Sequence, residues 1–433
     1  MRIPVSLRNR DSDTIVQRNK GRLIMFHNQI TILVIDIILA VTAIGLMIPV
    51  AVLFIECMAA LLPSRTAVGN NEVQVTKPRV AVLVPAHNEA SGISATIETL
   101  LPQLTDRDRL VVIADNCTDE TAAIASKLGA TVIERQDCDR KGKGYALDYG
   151  LRFLEDDPPD VVTIVDADCI VCEDTIKKIS ALAAAAKLPV QSLYLMEKPA
   201  HPTPKDGVSA LAFTVKNLVR LRGLTQLRLP CLLTGTGMAF PWFVICQAPL
   251  ASGNIVEDMQ LGIDLAIAGY APIFCEEAKV LGRLPQQQQA AKKQRTRWEH
   301  GHLQTSLTQV PRLLKASIIQ RRFDLLVMAV DFLVPPLSLL VGIWGVMLGG
   351  ALLTLAWSGA WVGAVWLGIE GFFLLVAIMA AWAKFGRGDL PLLTLLTVPF
   401  YILWKIPLYL GFLVQPQTKW IRTKRDVVDA SES

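Results

Sequence analysis

Polar side chains, most of them acidic, follow three short apolar runs of this 433-residue chain. The runs span residues 80–85, 110–114 and 161–165. The residues at or just beyond their ends are Pro85, His87, Glu89, Asp115, Asp166 and Asp168. Asparagine and aspartate also favour helix N-caps, but capping explains poorly why three successive runs all end in acids. The pattern therefore predicts a ligand site at the ends of strands.

Asp166 and Asp168 are the pair best suited to a metal ion. They are one residue apart directly after an apolar run, and a bend there would turn both carboxylates to one side. Carboxylate oxygens suit a divalent cation that keeps bound waters and bridges substrate phosphates. We therefore predict a cation site at these two residues.

Two further segments carry groups that could act on a phosphate-bearing substrate. Lys143 lies in the basic, glycine-containing stretch 140–144, which lacks the spacing of a Walker loop. A solvated turn is one interpretation, and neutralisation of a leaving diphosphate is the other. Glu257 and Asp258 begin an amphipathic run that continues to residue 268. Acids there either complement a helix dipole or provide a general base.

Residues 294–302 form the last candidate segment. Arg297 offers a planar fork for phosphate, and Trp298 offers a flat stacking surface, both suited to a nucleotide sugar. An amphipathic interface helix is the alternative interpretation. His300 and His302 lack a convincing metal spacing on a helix, so we expect them to make polar contacts. Earlier in the chain, the glycines of residues 234–239 would let backbone approach a ligand closely.

The elements expected to position these residues alternate between strand and helix. The apolar runs, together with a fourth at 131–134, are separated by segments with helical spacing. This alternation predicts an α/β fold with a mostly parallel sheet and right-handed crossovers. Ligands of such sheets bind at the carboxyl ends of the strands, where the acids lie.

Composition indicates a membrane protein with a soluble middle. Hydrophobic residues make up 52% of the chain and charged residues 19%. The apolar excess lies at 30–62 and from 325 onward, where we predict spans at 37–55, 325–357 and 360–383. A further stretch, 390–414, contains three prolines and Lys405, which favours an incomplete crossing.

The basic tails and the cysteines indicate which partners and which cellular compartment to expect. Basic residues cluster in the N-terminal tail, 1–29, and the C-terminal tail, 416–433, as expected for contact with anionic lipid head groups. A net charge of +4 is too small to indicate a nucleic-acid partner. The eight cysteines follow no disulfide framework, and we interpret Cys169 and Cys172 as small buried residues rather than a metal or redox pair. A reducing cytoplasm suits them, and the first apolar run starts too late and is too long for a cleaved signal peptide.

Taken in order, five segments resemble the membrane-bound family 2 glycosyltransferases, which include cellulose, chitin, hyaluronan and poly-N-acetylglucosamine synthases. The segments are 85–89, 115–119, 166–168, 257–258 and the Gln294-x-x-Arg297-Trp298 motif. Each is weak alone, but five in the right order over more than 200 residues are specific. The resemblance is to enzymes of the bacterial exopolysaccharide type, and it implies a GT-A fold with a mixed, mostly parallel sheet.

The resemblance also implies an inverting, single-displacement reaction and a role for each matched residue. Asp258 would be the catalytic base, and Mg²⁺ or Mn²⁺ the cofactor at Asp166 and Asp168. The nucleotide-sugar donor, most simply a UDP-sugar, would be held by Pro85, His87, Glu89, Asp115, Lys143, Asp166 and Arg297. The acceptor would contact Glu257, Gln294 and Trp298.

The implied acceptor is a growing polysaccharide or oligosaccharide, and the implied location is the bacterial inner membrane with a cytoplasmic catalytic region, 77–302. An amphipathic interface segment, 303–324, and membrane or re-entrant helices, 325–415, would follow. The bilayer and other polysaccharide-export proteins are the expected partners. A lipid acceptor is the alternative, because ceramide glucosyltransferases share this layout. A non-enzymatic scaffold is disfavoured because all the expected acids are present.

Two membrane questions follow from the sequence. A single N-terminal span with a cytoplasmic catalytic region would put the basic N-terminal tail outside, against the positive-inside tendency. Either residues 30–62 form a hairpin or the tail breaks that rule. Asp331, Glu370 and Lys405 are costly within apolar segments. We hypothesise that at least two of them pair and border the acceptor route, with placement at the interface as the alternative.

Overall fold

A computed structural model describes residues 6–63, 77–197, 203–251, 257–282, 288–388 and 390–414. The side chains of residues 6–28 and 288–293 lie outside this description. The predicted C-terminal tail, 416–433, lies outside the described residues as well.

Eight strands form one mixed sheet. They are β1 (Val80–Ala86), β2 (Arg109–Asp115), β3 (Thr131–Arg135), β4 (Val161–Ile164), β5 (Cys169–Val171), β6 (Val190–Met196), β7 (Met238–Pro241) and β8 (Ile273–Gly282). Their spatial order is β3-β2-β1-β4-β7-β6-β8-β5. The first four are parallel, β7 is antiparallel to both neighbours, β8 is parallel to β6 and β5 is antiparallel to β8. This confirms the predicted fold class, a mixed and mostly parallel α/β sheet.

Helices cover both faces of the sheet, which explains why β1 is apolar at nearly every position. Val82 and Val84 join the core formed with helices on one face, whereas Ala81 and Leu83 join the core on the other. The helices of the region that contains the sheet are α2 (Ile93–Leu100), α3 (Thr121–Lys127), α4 (Lys143–Leu154), α5 (Thr175–Ala186), α6 (Pro204–Thr214), α7 (Leu221–Gln226), α8 (Trp242–Ile245) and α9 (Glu257–Ile267). A π-helical segment, Val215–Arg220, joins α6 to α7.

The remaining helices flank this unit. They are α1 (Ser6–Ala60), α10 (Gln288–Gln320), α11 (Phe323–Phe332), α12 (Leu337–Ser358), α13 (Val362–Ala381) and α14 (Val398–Val414). A π-helical turn, Trp382–Gly386, extends α13, and a 3₁₀ segment, Leu392–Thr397, precedes α14. The boundary predicted between residues 302 and 303 falls inside the continuous helix α10.

Four helical stretches among the described residues are long and apolar enough to cross a membrane: Gln29–Ala60, Leu337–Ser358, Val362–Gly386 and Leu392–Val414. Because α1 is continuous through residues 30–60, the hairpin alternative for 30–62 is wrong. The single span predicted at 325–357 is also wrong. It is divided into α11 and α12 at Pro335 and Pro336, because proline lacks the backbone N–H that a continuing helix needs.

The apolar helices dock on the sheet domain through α7. A Cβ added at Gly223 would lie 2.1 Å from the Glu56 carbonyl oxygen, so α1 and α7 cross with their backbones in direct contact. Arg222 then donates to the Ala60 carbonyl at 3.0 Å, at the end of α1. Lys384 beyond α13 donates to the Leu61 carbonyl at 2.8 Å. Since Gly363 at the start of α13 packs on Leu39, α1 and α13 run in the same direction and both end beside the sheet domain.

Candidate active site

A cavity of about 520 Å³ opens where the sheet meets the membrane helices. All twelve residues predicted to bind or react line it: Pro85, His87, Glu89, Asp115, Lys143, Asp166, Asp168, Glu257, Asp258, Gln294, Arg297 and Trp298. We call the part lined by the strand-end residues the sheet end. The part lined by Leu53, Pro335, Pro336, Tyr401 and Lys405 is the membrane end. The structure thus brings the predicted residues together, whereas their individual roles stay predictions.

The loops after β1 and β2 are tied together at the sheet end. His87 Nδ1 lies 2.7 Å from the Asp115 carbonyl oxygen, and Asn88 Oδ1 accepts from the Thr118 backbone at 2.6 Å. Asn88 has a left-handed φ of 55°, a conformation that asparagine tolerates better than most residues. Helices α2 and α3 begin after Gly92 and Glu120, neither of which caps them through its side chain. The asparagine therefore shapes the loop rather than capping a helix.

Asp115 is held in place by a residue that the sequence analysis missed. The Arg135 guanidinium donates to Asp115 Oδ1 at 2.6 Å, and Asn116 donates to the same oxygen at 3.0 Å. Burial raises the pKa of Asp115, and the Arg135 charge opposes that rise. The available signal was that β3 ends in arginine, in a chain where acids follow three other strands, but only the sheet order shows which acid it meets.

Asp166, Asp168 and Cys169 form a compact donor group. One ligand atom from each lies within 4.8 Å of the others. Burial raises the pKa of the Cys169 thiol well above its ordinary value, and carboxylate oxygens suit hard cations better than sulfur does. Oxygen donors fit a hard divalent cation such as Mg²⁺ or Mn²⁺. Cys169 is buried and Cys172 is half-buried, so the predicted burial is confirmed for Cys169 and wrong for Cys172.

Lys143 stands at the centre of the acidic groups. Its Nζ donates to Asp166 Oδ1 and to the Gly235 carbonyl, both at 2.5 Å. Burial alone would lower the pKa of Lys143, but Asp166, Glu257 and Asp258 outweigh burial and raise the pKa above its ordinary value. The lysine is therefore a permanent positive charge at this position.

Glu257 and Asp258 form the first turn of α9 and face the same cavity. Burial raises the pKa of Glu257 to about 7, against the opposing effect of Lys143. Burial raises the pKa of Asp258 too, while Lys143 and Lys216 lower it. A carboxylate with a raised pKa is a stronger base, which suits proton abstraction.

The glycine loop, 234–239, lies against Asp258, and its predicted close approach to a ligand stays a prediction. Gly235 has a φ of +100°, and a Cβ added to it would lie 3.1 Å from Asp258 Oδ2. Gly237 has a φ of +64°, and its added Cβ would meet Ser192 Oγ at 1.9 Å. The loop is held from behind by Gln191, which accepts from the Thr234 backbone and donates to the Thr236 carbonyl.

Helix α10 carries the Gln294–Trp298 motif along the wall opposite the sheet. The Trp298 ring lies 6.2 Å from the Phe213 ring, measured between centroids. Arg297 lines the cavity and forms no ion pair with a described residue. Further along, His300 Nε2 lies 2.9 Å from the Leu408 carbonyl oxygen, and His302 Nε2 lies 3.3 Å from that of Val334. These histidines make polar contacts, as predicted.

Two cavity residues on the π-helical segment were also missed. Lys216 and Asn217 line the cavity, and Lys216 pairs with no carboxylate among the residues described. Burial lowers the pKa of Lys216, an effect that the charge of Asp258 opposes. A helix with 3.6 residues per turn would aim these side chains differently, and nothing in the sequence signals the wider turn.

The three ionisable residues of the membrane region do not pair with one another, contrary to the hypothesis. Asp331 and Glu56 both bind Arg220, at 2.5 and 2.6 Å. Lys405 binds Glu299 and borders the cavity. Glu370 is fully buried in α13, and its carboxylate has no hydrogen-bond partner among the described side chains and backbone. Asp331 and Lys405 therefore each meet a group from another segment that their own sequence context does not reveal.

Comparison with known proteins agrees with this geometry. The sequence profile described as "Glycosyltransferase like family 2" matches residues 78–301, more than half of the chain. The chain belongs to this glycosyltransferase family. Its matched region contains the whole eight-stranded sheet and the Gln294–Trp298 motif.

Individual proteins similar to this family 2 chain share only a low sequence identity or a short aligned region with it. It is 27% identical over 272 residues to the probable glycosyltransferase YdaM of Bacillus subtilis, an alignment that covers 57% of this chain and 61% of YdaM. It is 36% identical over 104 residues to the low-salt glycan biosynthesis hexosyltransferase Agl6 of Haloferax volcanii, which covers 24% of each protein. The chain thus spans less than two thirds of the length of these relatives.

The fold of the family 2 chain is similar to that of the mannosyltransferase PcManGT from Pyrobaculum calidifontis, solved in complex with GDP-Man and Mn²⁺. The TM-score is 0.50 at 19% identity, and the match covers 80% of this chain and 99% of PcManGT. The similarity shows a GT-A-like fold.

Proposed function

We propose that the chain is an inverting glycosyltransferase that moves a sugar from a UDP-sugar to a hydroxyl of a polysaccharide or oligosaccharide at the membrane. The observation that carries the proposal is the single cavity in which Lys143, Asp166, Asp258 and Trp298 meet. Family membership supports the reaction class.

The sheet end would hold the donor. Glu89 and Asp115 would contact the nucleoside, with Asp115 fixed by Arg135. Asp166 and Asp168 would hold Mg²⁺ or Mn²⁺, which stabilises the negative charge of a diphosphate when bound. Lys143 and Arg297 would add positive charge around the same group, and their fixed positions favour departure of the diphosphate.

Asp258 would accept the proton of the acceptor hydroxyl. The hydroxyl oxygen forms a bond to the anomeric carbon as the bond from that carbon to the diphosphate breaks. The diphosphate leaves with the electron pair, and a single displacement inverts the anomeric centre. The raised pKa of Asp258 supports this role, and Gln294, Glu257 and Trp298 would orient the acceptor sugar.

A lipid acceptor is the second candidate, favoured by the composition of the membrane end. Leu53, Pro335 and Pro336 belong to membrane helices or to the turn that precedes α12, and they form part of the cavity wall. Such a wall would admit a hydroxyl-bearing lipid from the bilayer. The transfer chemistry would be unchanged.

The membrane assignment rests on the four apolar helices. We propose that they anchor the chain in a bacterial inner membrane with the catalytic region, 77–302, on the cytoplasmic face, and that other polysaccharide-export proteins are partners.

The experiment is an assay of UDP release by the purified full chain with a panel of UDP-sugars and Mg²⁺ or Mn²⁺. We expect Asp258→Asn to lower kcat at least about 100-fold, because the base is lost. Asp264→Asn is the matched control on the same helix, since Asp264 pairs with Arg312 and does not line the cavity. Full activity in the Asp258→Asn variant, or no release with any UDP-sugar, would refute the proposal.

A further inference from the structure

A cysteine lies against the two carboxylates of the candidate cation site. Cys169 is the first residue of β5 and is 1% exposed. One donor atom from each of Asp166, Asp168 and Cys169 lies within 4.8 Å of the others. Both aspartates line the cavity. The group therefore offers a sulfur atom and carboxylate oxygens to the same small volume at the sheet end.

Two hydrogen bonds fix the Cys169 sulfur in this position. The thiol donates to Asp168 Oδ1 at 3.7 Å, and the Thr236 hydroxyl donates to the sulfur at 3.8 Å. Thr236 is fully buried, and its hydroxyl oxygen accepts from the Asp166 backbone N–H at 3.0 Å. The sulfur is thus tied to both acidic residues. The thiol proton lies between sulfur and carboxylate, at a place where a cation that binds sulfur could replace it.

The distances suit a small divalent cation bound by sulfur and oxygen together. Bonds of about 2.3 Å to sulfur and about 2.1 Å to oxygen place the donors of a tetrahedral zinc site about 3.5 Å apart. The 3.7 Å between Cys169 Sγ and Asp168 Oδ1 is close to that spacing. No two of the three donors are farther apart than 4.8 Å. Small side-chain rotations would therefore complete the site.

Ligand preference and charge determine which cations would recruit the sulfur. Mg²⁺ prefers oxygen ligands, whereas thiolate sulfur selects zinc and softer ions. Before a diphosphate binds, two carboxylates and the Lys143 ammonium carry one net negative charge, so a divalent cation alone would leave one positive charge. As the metal–sulfur bond forms, the Cys169 proton leaves to solvent and the group becomes neutral. A neutral group is favoured because an uncompensated charge is costly away from water.

We propose that Asp166, Asp168 and Cys169 form a three-ligand site for a thiophilic divalent cation of the zinc class, which competes with Mg²⁺ or Mn²⁺ for the two carboxylates. Cys169 determines the selectivity of the site among cations. This inference rests on the cation position of the proposed function. A bound zinc ion occupies the carboxylates that Mg²⁺ or Mn²⁺ needs, so it inhibits sugar transfer.

The test measures metal binding to the full chain in lipid nanodiscs. The background variant carries Cys138→Ser and Cys246→Ser, because these two thiols are exposed and could bind metal adventitiously. Isothermal titration measures the Kd of Zn²⁺, and Cd²⁺ is a probe whose bond to thiolate gives an ultraviolet absorption band. We expect Cys169→Ser to abolish that band. It should also weaken Zn²⁺ binding about 100-fold, because loss of even an outer partner of a metal ligand costs roughly 10–100-fold.

Two controls separate a ligand from a structural residue. Cys172→Ser should leave the Kd of Zn²⁺ unchanged, since Cys172 shares the C-x-x-C with Cys169 but is not one of the three donors. Mn²⁺ binding in the presence of UDP, followed by the electron paramagnetic resonance of free Mn²⁺, should be the same in Cys169→Ser as in the background. That result would show that the carboxylates keep their places.

The inference is overturned if Cys169→Ser leaves Zn²⁺ binding and the Cd²⁺ band unchanged, or if it weakens Zn²⁺ and Mn²⁺ binding equally. Absence of Mn²⁺ binding to the background would overturn the cation position itself. UDP release that persists while zinc binding is independent of Cys169 would leave sugar transfer intact. Zinc binding that requires Cys169, without UDP release from any donor, would uphold the site and remove the proposed function.

Discussion

At the scale of single residues, the positive charges of a few lysines oppose the effect of burial on the acids of the cavity. Asp258 would be a weak base at its ordinary pKa, and burial raises that pKa. Lys143 and Lys216 lower a pKa that burial raises. Lys143 is already bound to Asp166, so Lys216 is the charge that can be removed with least damage to the donor site.

We predict that Lys216→Met shifts the acid limb of the pH profile of kcat/KM to higher pH. The base must be deprotonated to act, so activity falls as pH drops through the pKa of Asp258. Loss of a neighbouring positive charge raises that pKa further, by up to about one unit. UDP release measured from pH 5 to 9 provides the profile.

Lys216→Arg should keep the wild-type limb, since it retains the charge, and Lys315→Met, an exposed lysine of α10, should have no effect. If Lys216→Met left the acid limb of the pH profile of kcat/KM unchanged, Lys216 would not influence the pKa of Asp258.

The residue types at the strand ends could be predicted because a parallel sheet gathers the ends of its strands at one edge. That is why Glu89, Asp115 and Asp166 meet although they are far apart in sequence. Arg135 could not be assigned, because its partner follows from the order β3-β2-β1 and not from its neighbours. Asn217 and Lys216 depend on one π-helical segment, which a regular helical period cannot predict.

At the scale of elements, the crossing of α1 and α7 determines how the catalytic region sits on the membrane helices. The sequence shows the apolar segment of α1, but the crossing depends on Gly223, whose missing side chain lets α7 reach the α1 backbone. The two prolines at 335–336 were visible as well. The apolar pattern on both sides outweighed them in the prediction, although two adjacent prolines strongly disfavour a continuous helix.

We predict that Gly223→Ala destabilises the chain and lowers its yield in membranes. The new methyl group would overlap the Glu56 carbonyl, which is backbone and cannot rotate away. We expect a loss of several °C in the unfolding temperature, measured by thermal denaturation in detergent, because overpacking costs about 1–3 kcal/mol. Gly345→Ala is the control, since nothing lies within 4 Å of its added Cβ. Equal stability of the two variants would contradict a close crossing.

At the scale of the whole molecule, one buried arginine joins three parts of the chain. Arg220, on the π-helical segment beside the cavity, binds Glu56 of α1 and Asp331 of α11. Removal of one partner from a buried charge group leaves uncompensated charge, which is strongly destabilising. The sequence indicated that Asp331 was unusual, but its partner lies 111 positions away.

We predict that Arg220→Met destabilises the folded chain by about 3–5 kcal/mol, because two buried carboxylates then lose their cation. Denaturation of the purified protein measures the effect. The triple variant Arg220→Met, Glu56→Gln, Asp331→Asn should recover part of the loss, since it removes the unpaired charges. Failure of the added substitutions to recover any stability would mean that the network acts through shape rather than charge.

The continuous helix α1 connects the cavity to the N-terminal end of the helix without an intervening loop. Its 55 residues extend about 80 Å, more than twice the thickness of the hydrocarbon layer. Leu53, near its C-terminal end, forms part of the cavity wall. Because the helix is continuous, a change in its tilt would also move Leu53 in the cavity wall. Bilayer thickness, or a contact near the N-terminal end of the helix, could impose such a change.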